Sequence, residues 1–427
     1  MLNTTTHRSQ LLARLHEARA ETDALFALVK PEFIFERPIA ERHRLMFYIG
    51  HLEAFDWNLL APKLGLPNTR EGLDNLFAFG IDPVDGQLPS DQPGDWPPIE
   101  TFYRYRDQAR EELDAALRES KHARIDELLN VVIEHRYMHA ETLSYLLHQL
   151  PLEMKQGTTA LHANPSRRVA METVRIPAGK ATLGLRSDSS EFGWDNEFER
   201  HTVDVPAFVI DKYKVTNGQF LDFVDDGGYS RRDLWSDDDW AWKEKYAVEH
   251  PAFWIRAKNG WLWKSMFDFV PLPLDWPVYV SRAEANAFAR WSNRKLPTEA
   301  QWQRAAFGNA GDAPRIEEWD AKPRFDPLPV DSQQLIAPLA NDVIGLRGNG
   351  WEWTSTVFAP FEGFEIRDFY PGYSQPFFDG KHFVLKGGST RTAPSMLRPS
   401  FRNWFQAHYP FVYAGFRCVD TQGEHRS

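Results

Sequence analysis

The spacing of apolar residues changes near residue 150, and this change constrains the fold more than any other feature of the chain. Before it, apolar residues recur at three- and four-residue intervals, the pattern of helices that bury one face. The four stretches with this pattern cover residues 7–29, 41–64, 99–120 and 123–150. A loop rich in Pro and Gly, residues 79–98, separates the second stretch from the third. The sequence therefore predicts an N-terminal four-helix bundle.

The rest of the chain has a different character. Residues 151–170 are polar and lack a clear periodicity, which is typical of a linker. Further on, short β-type runs alternate with tight Gly, Pro and Asn turns, and one clear helical pattern covers residues 281–294. We therefore expect an α+β protein with a bundle at 1–150, a linker at 151–170 and a mixed domain at 171–427.

Charge and cysteine content narrow the classes of function. The formal net charge of -11 argues against a polyanion-binding surface, so we expect no nucleic-acid partner. The start lacks the pattern of a signal peptide, and no run of about 18 uncharged apolar residues occurs, which predicts a soluble, cytoplasmic protein without a membrane partner. Cys418 is the only cysteine, so no thiolate cluster can bind a metal, and we interpret it as a small buried hydrophobe.

Two histidines four residues apart, His135 and His139, lie in the last helical stretch. Side chains at this spacing are about 40° apart around a helix, so both imidazoles could hold one ion or simply form ordinary hydrogen bonds. A zinc protease would have a glutamate where this chain has Arg136, so protease activity is disfavoured. Glu134 and Glu141 do not share the histidine face, so a third ligand must come from another helix.

His51 is our candidate for that third ligand. It lies in the apolar stretch "LMFYIGHLEAF" of the second helix, and the cores of bundles are where facing helices assemble metal sites. Together with the histidine pair it would supply three neutral nitrogens and leave coordination positions open. We interpret His43 and His148 as ordinary surface residues.

The second domain resembles the formylglycine-generating-enzyme fold, a C-type-lectin-like module. The resemblance rests on an ordered set of motifs, which includes "FVIDKYKVTNGQFLDFV", "RKLPTEAQWQRAA", "GNGWEWTSTVF", "VLKGGSTRT" and "YAGFRC". Formylglycine-generating enzymes depend on a pair of cysteines, however, and this chain has one. That activity is therefore disfavoured.

A DinB-like four-helix bundle with these histidines, followed by this module, resembles the ergothioneine-type sulfoxide synthases and selenoneine synthase. The resemblance implies a mononuclear non-haem iron(II), Fe(2+), held by His51, His135 and His139. It also implies that hercynine, an N-trimethylated histidine, docks there and that O2 drives attachment of a chalcogen to C2 of its imidazole. Asn403 and Trp404 match family residues that contact hercynine, although an asparagine in a turn also has a structural explanation.

The chain departs from the family pattern at three places. Met138 stands where typical members have a glutamine that helps hold hercynine. The other two departures concern the chalcogen donor: Phe405 stands where members using γ-glutamylcysteine have an acidic residue, and the loop at 85–98 has no arginine. Unpaired charges are costly to bury, so a neutral selenosugar would suit such a site better than a charged dipeptide. We expect Trp404, Phe405 and Tyr409 to form one aromatic surface for it.

The sequence also allows other interpretations of the donor, of the proton-donating residue and of the function itself. A thiol such as γ-glutamylcysteine or cysteine could be the donor, held by Arg391 or Arg398, with the aromatic residues packing the core. The family mechanism also implies a tyrosine that delivers a proton or an electron, for which Tyr370 and Tyr373 are candidates, yet either could merely close a turn. A non-catalytic lectin-like binding protein would need no redox metal.

Overall fold

The computed structural model describes residues 2–67, 71–79, 88–158, 161, 167–308, 323–335 and 341–420. The chain divides into two compact units, Met1–Thr159 and Ala160–Ser427. The predicted loop at 79–98 and the predicted linker at 151–170 both fall partly outside the described residues. Within the described ranges, no helix combines the length and apolar character needed to cross a bilayer.

The described part of the first unit contains four long helices and one short one. They are α1 (Leu2–Phe26), α2 (Leu45–Leu64), α3 (Glu71–Phe79), α4 (Ile99–Glu119) and α5 (Ile125–Gln149). The four long helices confirm the predicted bundle, whereas the short α3 was not predicted. The helical pattern is clearest in α4, whose fully buried side chains follow one another at three- or four-residue intervals: Phe102, Tyr105, Ala109, Leu113 and Leu117.

The helix ends follow from local chemistry. Helix α2 ends at Gly65, whose φ of 69° lies in the left-handed region that glycine enters without strain. Helix α5 begins with Asp126 and Glu127, whose negative charges are favourable near the positive end of the helix dipole.

The second unit is a mixed α+β domain, as predicted. Its helices are α6 (Asn217–Asp225), α7 (Asp237–Lys245), α8 (Arg282–Trp291) and α9 (Glu299–Phe307). Helix α8 confirms the helix expected at 281–294, and Ser281 caps it by accepting a hydrogen bond from the backbone N–H of Glu284. Cys418 is fully buried, as expected, and burial raises the pKa of its thiol well above the ordinary value.

The strands that the structure describes in this unit are short and form four small sheets. The strands are β1 (Thr173–Ile176), β2 (Gly179–Leu183), β3 (His201–Val205), β4 (Phe208–Asp211), β5 (Trp254–Ala257), β6 (Gly260–Lys264), β7 (Phe269–Pro271), β8 (Arg294–Lys295), β9 (Trp351–Val357), β10 (His382–Lys386), β11 (Asn403–Gln406), β12 (Ala414–Gly415) and β13 (Val419–Asp420). Their orders are β1-β4-β13-β8, β11-β10-β9-β12, β2-β3 and β5-β6-β7. Strand β11 is therefore an edge strand.

A buried ionic group supports the centre of this unit. Glu352 on β9 is fully buried and accepts hydrogen bonds from Arg417 at 2.7 Å and 2.9 Å. The ammonium of Lys214 lies 2.9 Å from the same carboxylate. Buried charges must be paired in this way, so Glu352 of the "GNGWEW" motif and Arg417 of the "GFRC" motif have a structural role.

Candidate metal centre

Three histidines from two helices of the first unit converge. His51 comes from α2, and His135 and His139 come from adjacent turns of α5. One ring nitrogen from each can be chosen so that all three lie within 4.8 Å of one another. The ring centroids are 4.5 Å to 5.5 Å apart. Among the described residues this is the one group of three or more His, Cys, Asp or Glu side chains with metal-binding geometry.

The backbone of α3 orients one of the three rings. Nδ1 of His51 lies 2.9 Å from the carbonyl oxygen of Phe77. A carbonyl can only accept, so Nδ1 carries the proton and donates, which leaves the Nε2 lone pair available for a metal ion. A hydrogen bond of this kind fixes both the tautomer and the direction of a metal-binding imidazole.

Aromatic side chains surround the histidines. The ring of Phe55 stacks on His135 at 3.5 Å, and the ring of Phe47 stacks on His51 at 5.0 Å. Tyr48 lies 5.6 Å from His139, measured between ring centroids. This apolar shell disfavours the charged form of an imidazole inside it.

The electrostatics of the site suit a cation. Burial lowers the pKa of His51 to about 4 and lowers the pKa values of His135 and His139 well below the ordinary value. All three rings are therefore neutral at pH 7, with lone pairs to donate. Nδ1 of His139 is also buried and forms no hydrogen bond within the described part of the chain. Three neutral nitrogens in a largely apolar setting fit a divalent transition metal and leave other coordination positions for substrates.

The structure corrects the interpretation of two other histidines. His148, expected at the surface, is fully buried in α5, whose neighbouring residues are buried as well. His43, also expected at the surface, is partly buried, and its ring stacks at 3.8 Å on Phe47, the residue that stacks on His51. Burial lowers the pKa of His43 to about 4. His16, whose side chain is 53% exposed, is the better surface histidine.

Met138, the first-unit residue with an expected substrate role, is half-buried on α5 directly before His139. Sequence reasoning missed the contacts that hold the site, namely those of Phe55 and Phe77. A signal for one of them was present, because Gly50 stands inside a helix next to His51, and an interior helical glycine often marks a close approach. A Cβ at Gly50 would lie 2.4 Å from the ring of Phe77.

In the second unit, the two candidate tyrosines lie in one aromatic cluster with Trp404. Tyr373 stacks on Trp194 at 4.0 Å and lies 5.1 Å from Trp404, again between ring centroids. Tyr370 lies 5.7 Å from Tyr373, and burial raises its pKa above the ordinary value. Such a phenol keeps its proton at neutral pH and can donate it.

The expectation that Trp404, Phe405 and Tyr409 form one surface is wrong. Adjacent residues of a strand point to opposite faces, and the register pairs Phe405 with Phe383, and Trp404 with Val384. Trp404 stacks at 4.3 Å on Phe358, whereas Phe405 stacks at 5.4 Å on Tyr409. The aromatic side chains of β11 are thus divided between two faces.

Asn403 is half-buried on β11, and its side-chain oxygen accepts a hydrogen bond from the backbone N–H of Trp404 at 2.9 Å. The two arginines considered for a charged donor both have partners within the second unit. Arg398 donates to Glu197 at 2.8 Å, and the guanidinium of Arg391 lies 4.8 Å from the ring centroid of Phe325.

A different arginine lies near Phe405. The guanidinium carbon of Arg282 is 3.4 Å from the ring centroid of Phe383, the residue opposite Phe405 in the sheet. Arg282 also donates to the carbonyl of Thr354 at 3.0 Å. It is the first residue of α8, and nothing in its sequence neighbourhood marked it as close to β11.

Comparison with known proteins gives one family match and three relatives. Residues 159–422 match the family described as "Sulfatase-modifying factor enzyme 1-like domain". Hercynine oxygenase of Mycobacterium tuberculosis is 35% identical over 304 residues, covering 68% of this chain and 70% of that protein. Hercynine oxygenase of Mycolicibacterium thermoresistibile is 36% identical over 315 residues, covering 68% of this chain and 69% of that protein. Ergothioneine biosynthesis protein 1 of Neurospora crassa is 27% identical over 502 residues, covering 92% of this chain and 55% of that protein.

Proposed function

Because this chain belongs to the family of ergothioneine-type sulfoxide synthases, which are oxygen-dependent oxidoreductases, we propose that it joins a chalcogen donor to C2 of the hercynine imidazole. The observation that carries this proposal is the convergence of His51, His135 and His139 in an aromatic setting. A binding protein without catalysis would have no need for three neutral imidazoles arranged in this way.

Iron(II) is the metal we propose for this site. His51, His135 and His139 would hold it, with His51 bonding through Nε2 because its Nδ1 donates to Phe77. Iron bound there would supply the redox chemistry that lets O2 react with two organic substrates. With only these three protein ligands, coordination positions would stay open for substrates.

The overall reaction balances as follows. The C2–H bond of hercynine and the chalcogen–hydrogen bond of the donor are broken, and a carbon–chalcogen bond forms. The two hydrogens leave with one oxygen atom of O2 as water, and the second oxygen atom is added to the chalcogen as an oxide. O2 is the oxidant, so no further co-reactant is needed. A proton donor is required on the way, and we propose Tyr370 or Tyr373 for it.

For the donor we propose a neutral selenosugar. Phe405 replaces an acidic residue of the members that use γ-glutamylcysteine, and the loop at 85–98 has no arginine, so the ionic groups of a dipeptide would lack partners that they need when they leave water. The parallel rings of Phe405 and Tyr409 are suited to an uncharged sugar ring, which binds aromatic faces through its C–H groups.

A thiol donor with a carboxylate, such as γ-glutamylcysteine, is the second candidate. The observation that favours it is Arg282, which lies against Phe383 on the face of β11 that also carries Phe405. A guanidinium is the natural partner of a carboxylate, so Arg282 could bind a carboxylate of γ-glutamylcysteine.

A competition assay tests the proposal and decides between the donors. Iron-loaded protein is incubated with hercynine, O2 and equimolar selenosugar, thiosugar and γ-glutamylcysteine, and the products are identified by mass spectrometry. We expect kcat/KM to fall in the order selenosugar, thiosugar, γ-glutamylcysteine. The thiosugar separates recognition of the sugar from the greater acidity of a selenol. A preference for γ-glutamylcysteine would refute the selenosugar assignment, and absence of any hercynine adduct would refute the function itself.

Two arginine variants sharpen this assay. With γ-glutamylcysteine as substrate, Arg282→Met should raise KM at least tenfold if Arg282 holds the carboxylate, since a charge-assisted hydrogen bond contributes about 1.5–3 kcal/mol. With the selenosugar, the same variant should change KM little. Arg186→Met removes an exposed arginine, 61% accessible, and serves as the matched control.

A further inference from the structure

Seven charged side chains form a connected group inside the first unit, which we call the four-helix ion cluster. Each long helix contributes to it: Arg19 and Asp23 from α1, Glu53 and Asp56 from α2, Arg110 and Asp114 from α4, and Arg136 from α5. Of these seven residues, only Arg136 stood out in the sequence, because an arginine at that position argues against a zinc protease.

Arg136 is the centre of this cluster and is fully buried. Its Nη2 donates to Glu53 at 2.5 Å and to Asp56 at 2.7 Å, and its Nε donates to Asp56 at 2.8 Å. The carbonyl of Leu52 accepts a further hydrogen bond at 3.3 Å. The guanidinium therefore contacts about one turn of α2, from Leu52 to Asp56, in one fixed, planar geometry.

The other members extend these contacts to the remaining long helices. Arg110 donates to Glu53 at 2.8 Å and to Asp23 at 2.6 Å, which joins α4 to α2 and α1. Arg19 donates to Asp114 at 2.6 Å and lies 4.0 Å from Asp56. The cluster thus lies on the side of the α2–α5 interface that faces α1 and α4.

The histidines lie on the other side of the same interface. His51 is bonded to α3, whereas Glu53, two residues later on α2, is bonded to α4 and α5. On α5, Arg136 directly follows His135, so one of two consecutive residues belongs to the ion cluster and the other to the histidine group. Each residue advances a helix by about 1.5 Å, so a slip of α2 against α5 by a single residue would separate the three imidazoles.

We propose that Arg136 is the positioning residue of the metal centre, and that the four-helix ion cluster fixes the register between α2 and α5 at which His51 meets His135 and His139. This inference rests on the metal site of the proposed function and not on the choice of chalcogen donor. Apolar side chains of similar size could hold the helices together equally well, but they would not define one register, because apolar contacts are not directional.

Metal binding by Arg136→Met and Arg136→Lys tests the proposal. Co(II) replaces iron(II) as the probe, because its visible absorption reports both occupancy and coordination number. We expect Arg136→Met to bind Co(II) at least tenfold more weakly than the wild type. Arg136→Lys keeps the charge but loses the planar guanidinium, so its Co(II) affinity should lie between those of the wild type and Arg136→Met. The melting temperature of each metal-free variant is measured alongside.

Leu113→Ala is the matched control, because it removes a fully buried side chain of α4 without removing a charge. A merely structural role predicts that this variant, at equal loss of melting temperature, loses as much Co(II) affinity as Arg136→Met. That result, or affinities of both Arg136 variants within twofold of the wild type, overturns the proposal. If Arg136→Met does not fold, Arg136→Lys and the isosteric Asp56→Asn decide by the same comparison. Failure of the wild type to bind Co(II) would instead refute the metal site of the proposed function.

Discussion

Replacement of Gly50 by alanine should weaken metal binding, although Gly→Ala in the interior of a helix is ordinarily favourable. Alanine usually stabilises a helix by about 0.5–1 kcal/mol relative to glycine. At this position the added Cβ would lie 2.4 Å, 2.5 Å and 2.7 Å from three ring carbons of Phe77. Phe77 is fully buried, so its ring has little room to move away.

The magnitude follows from these opposing effects. Overpacking of a buried site costs about 1–3 kcal/mol, so we expect Gly50→Ala to lower the free energy of unfolding by up to about 2 kcal/mol. Metal affinity should fall as well, because the new Cβ displaces Phe77, and the carbonyl of Phe77 orients His51. Loss of such an orienting contact typically weakens metal affinity about 10- to 100-fold.

The assay is a urea titration of the metal-free protein combined with a Co(II) titration of the folded protein. Gly72→Ala in α3 is the control, since a Cβ there meets no atom within 4 Å, and it should leave Co(II) affinity unchanged. If Gly50→Ala raises stability and binds Co(II) as tightly as the wild type, the close contact between α2 and Phe77 does not position His51, and the reasoning fails.

Three further predictions concern the ligands, the tyrosines and pH. Alanine in place of any of the three proposed ligand histidines should abolish iron occupancy, measured by metal analysis, whereas alanine in place of His7, which is exposed on α1, should leave it unchanged. Tyr370→Phe or Tyr373→Phe should keep hercynine binding but lose turnover, and full turnover in both single variants and the double variant would eliminate this segment as the proton donor. Because burial lowers the pKa of His51 from 6.5 to about 4, the unfolded state binds the proton first, and the metal-free protein should lose stability as pH falls from 6.5 towards 4. His51→Gln should flatten that loss in urea titrations at pH 7 and pH 5.

The bundle was predictable because its helices are long and their apolar spacing is set by one geometric period. The convergence of the histidines was partly predictable for the same reason, since His135 and His139 share a face of any helix that contains them. The helix that supplies the third ligand was harder to predict, and His51 was proposed from its apolar setting together with the family resemblance. The carbonyl of Phe77 could not be foreseen, because a backbone contact from a short helix leaves no pattern in side-chain type.

The errors have equally local causes. His43 was interpreted as a surface residue, yet its ring packs on Phe47 at the start of α2. The prediction of one aromatic surface around Phe405 was wrong because it treated adjacent strand positions as if they shared a face. Side chains alternate along a strand, so Trp404 and Phe405 point to opposite faces of the sheet. The proximity of Arg282 to Phe383 depends on how α8 packs against the sheet, which requires tertiary structure.

The role of Arg136 shows why spacing alone did not identify the chemistry of the histidine pair. In a zinc protease the residue after the first histidine is a glutamate that serves as a general base. Here the same position faces the interior of the bundle, where Glu53 and Asp56 already supply two buried carboxylates. A third carboxylate at this point would leave buried like charges without a partner, so the fold itself requires a cation there. Arg136, the residue that disfavours protease activity, is thus the one that allows Glu53 and Asp56 of α2 to be buried beside α5. The three histidines lie on the other side of this contact between α2 and α5.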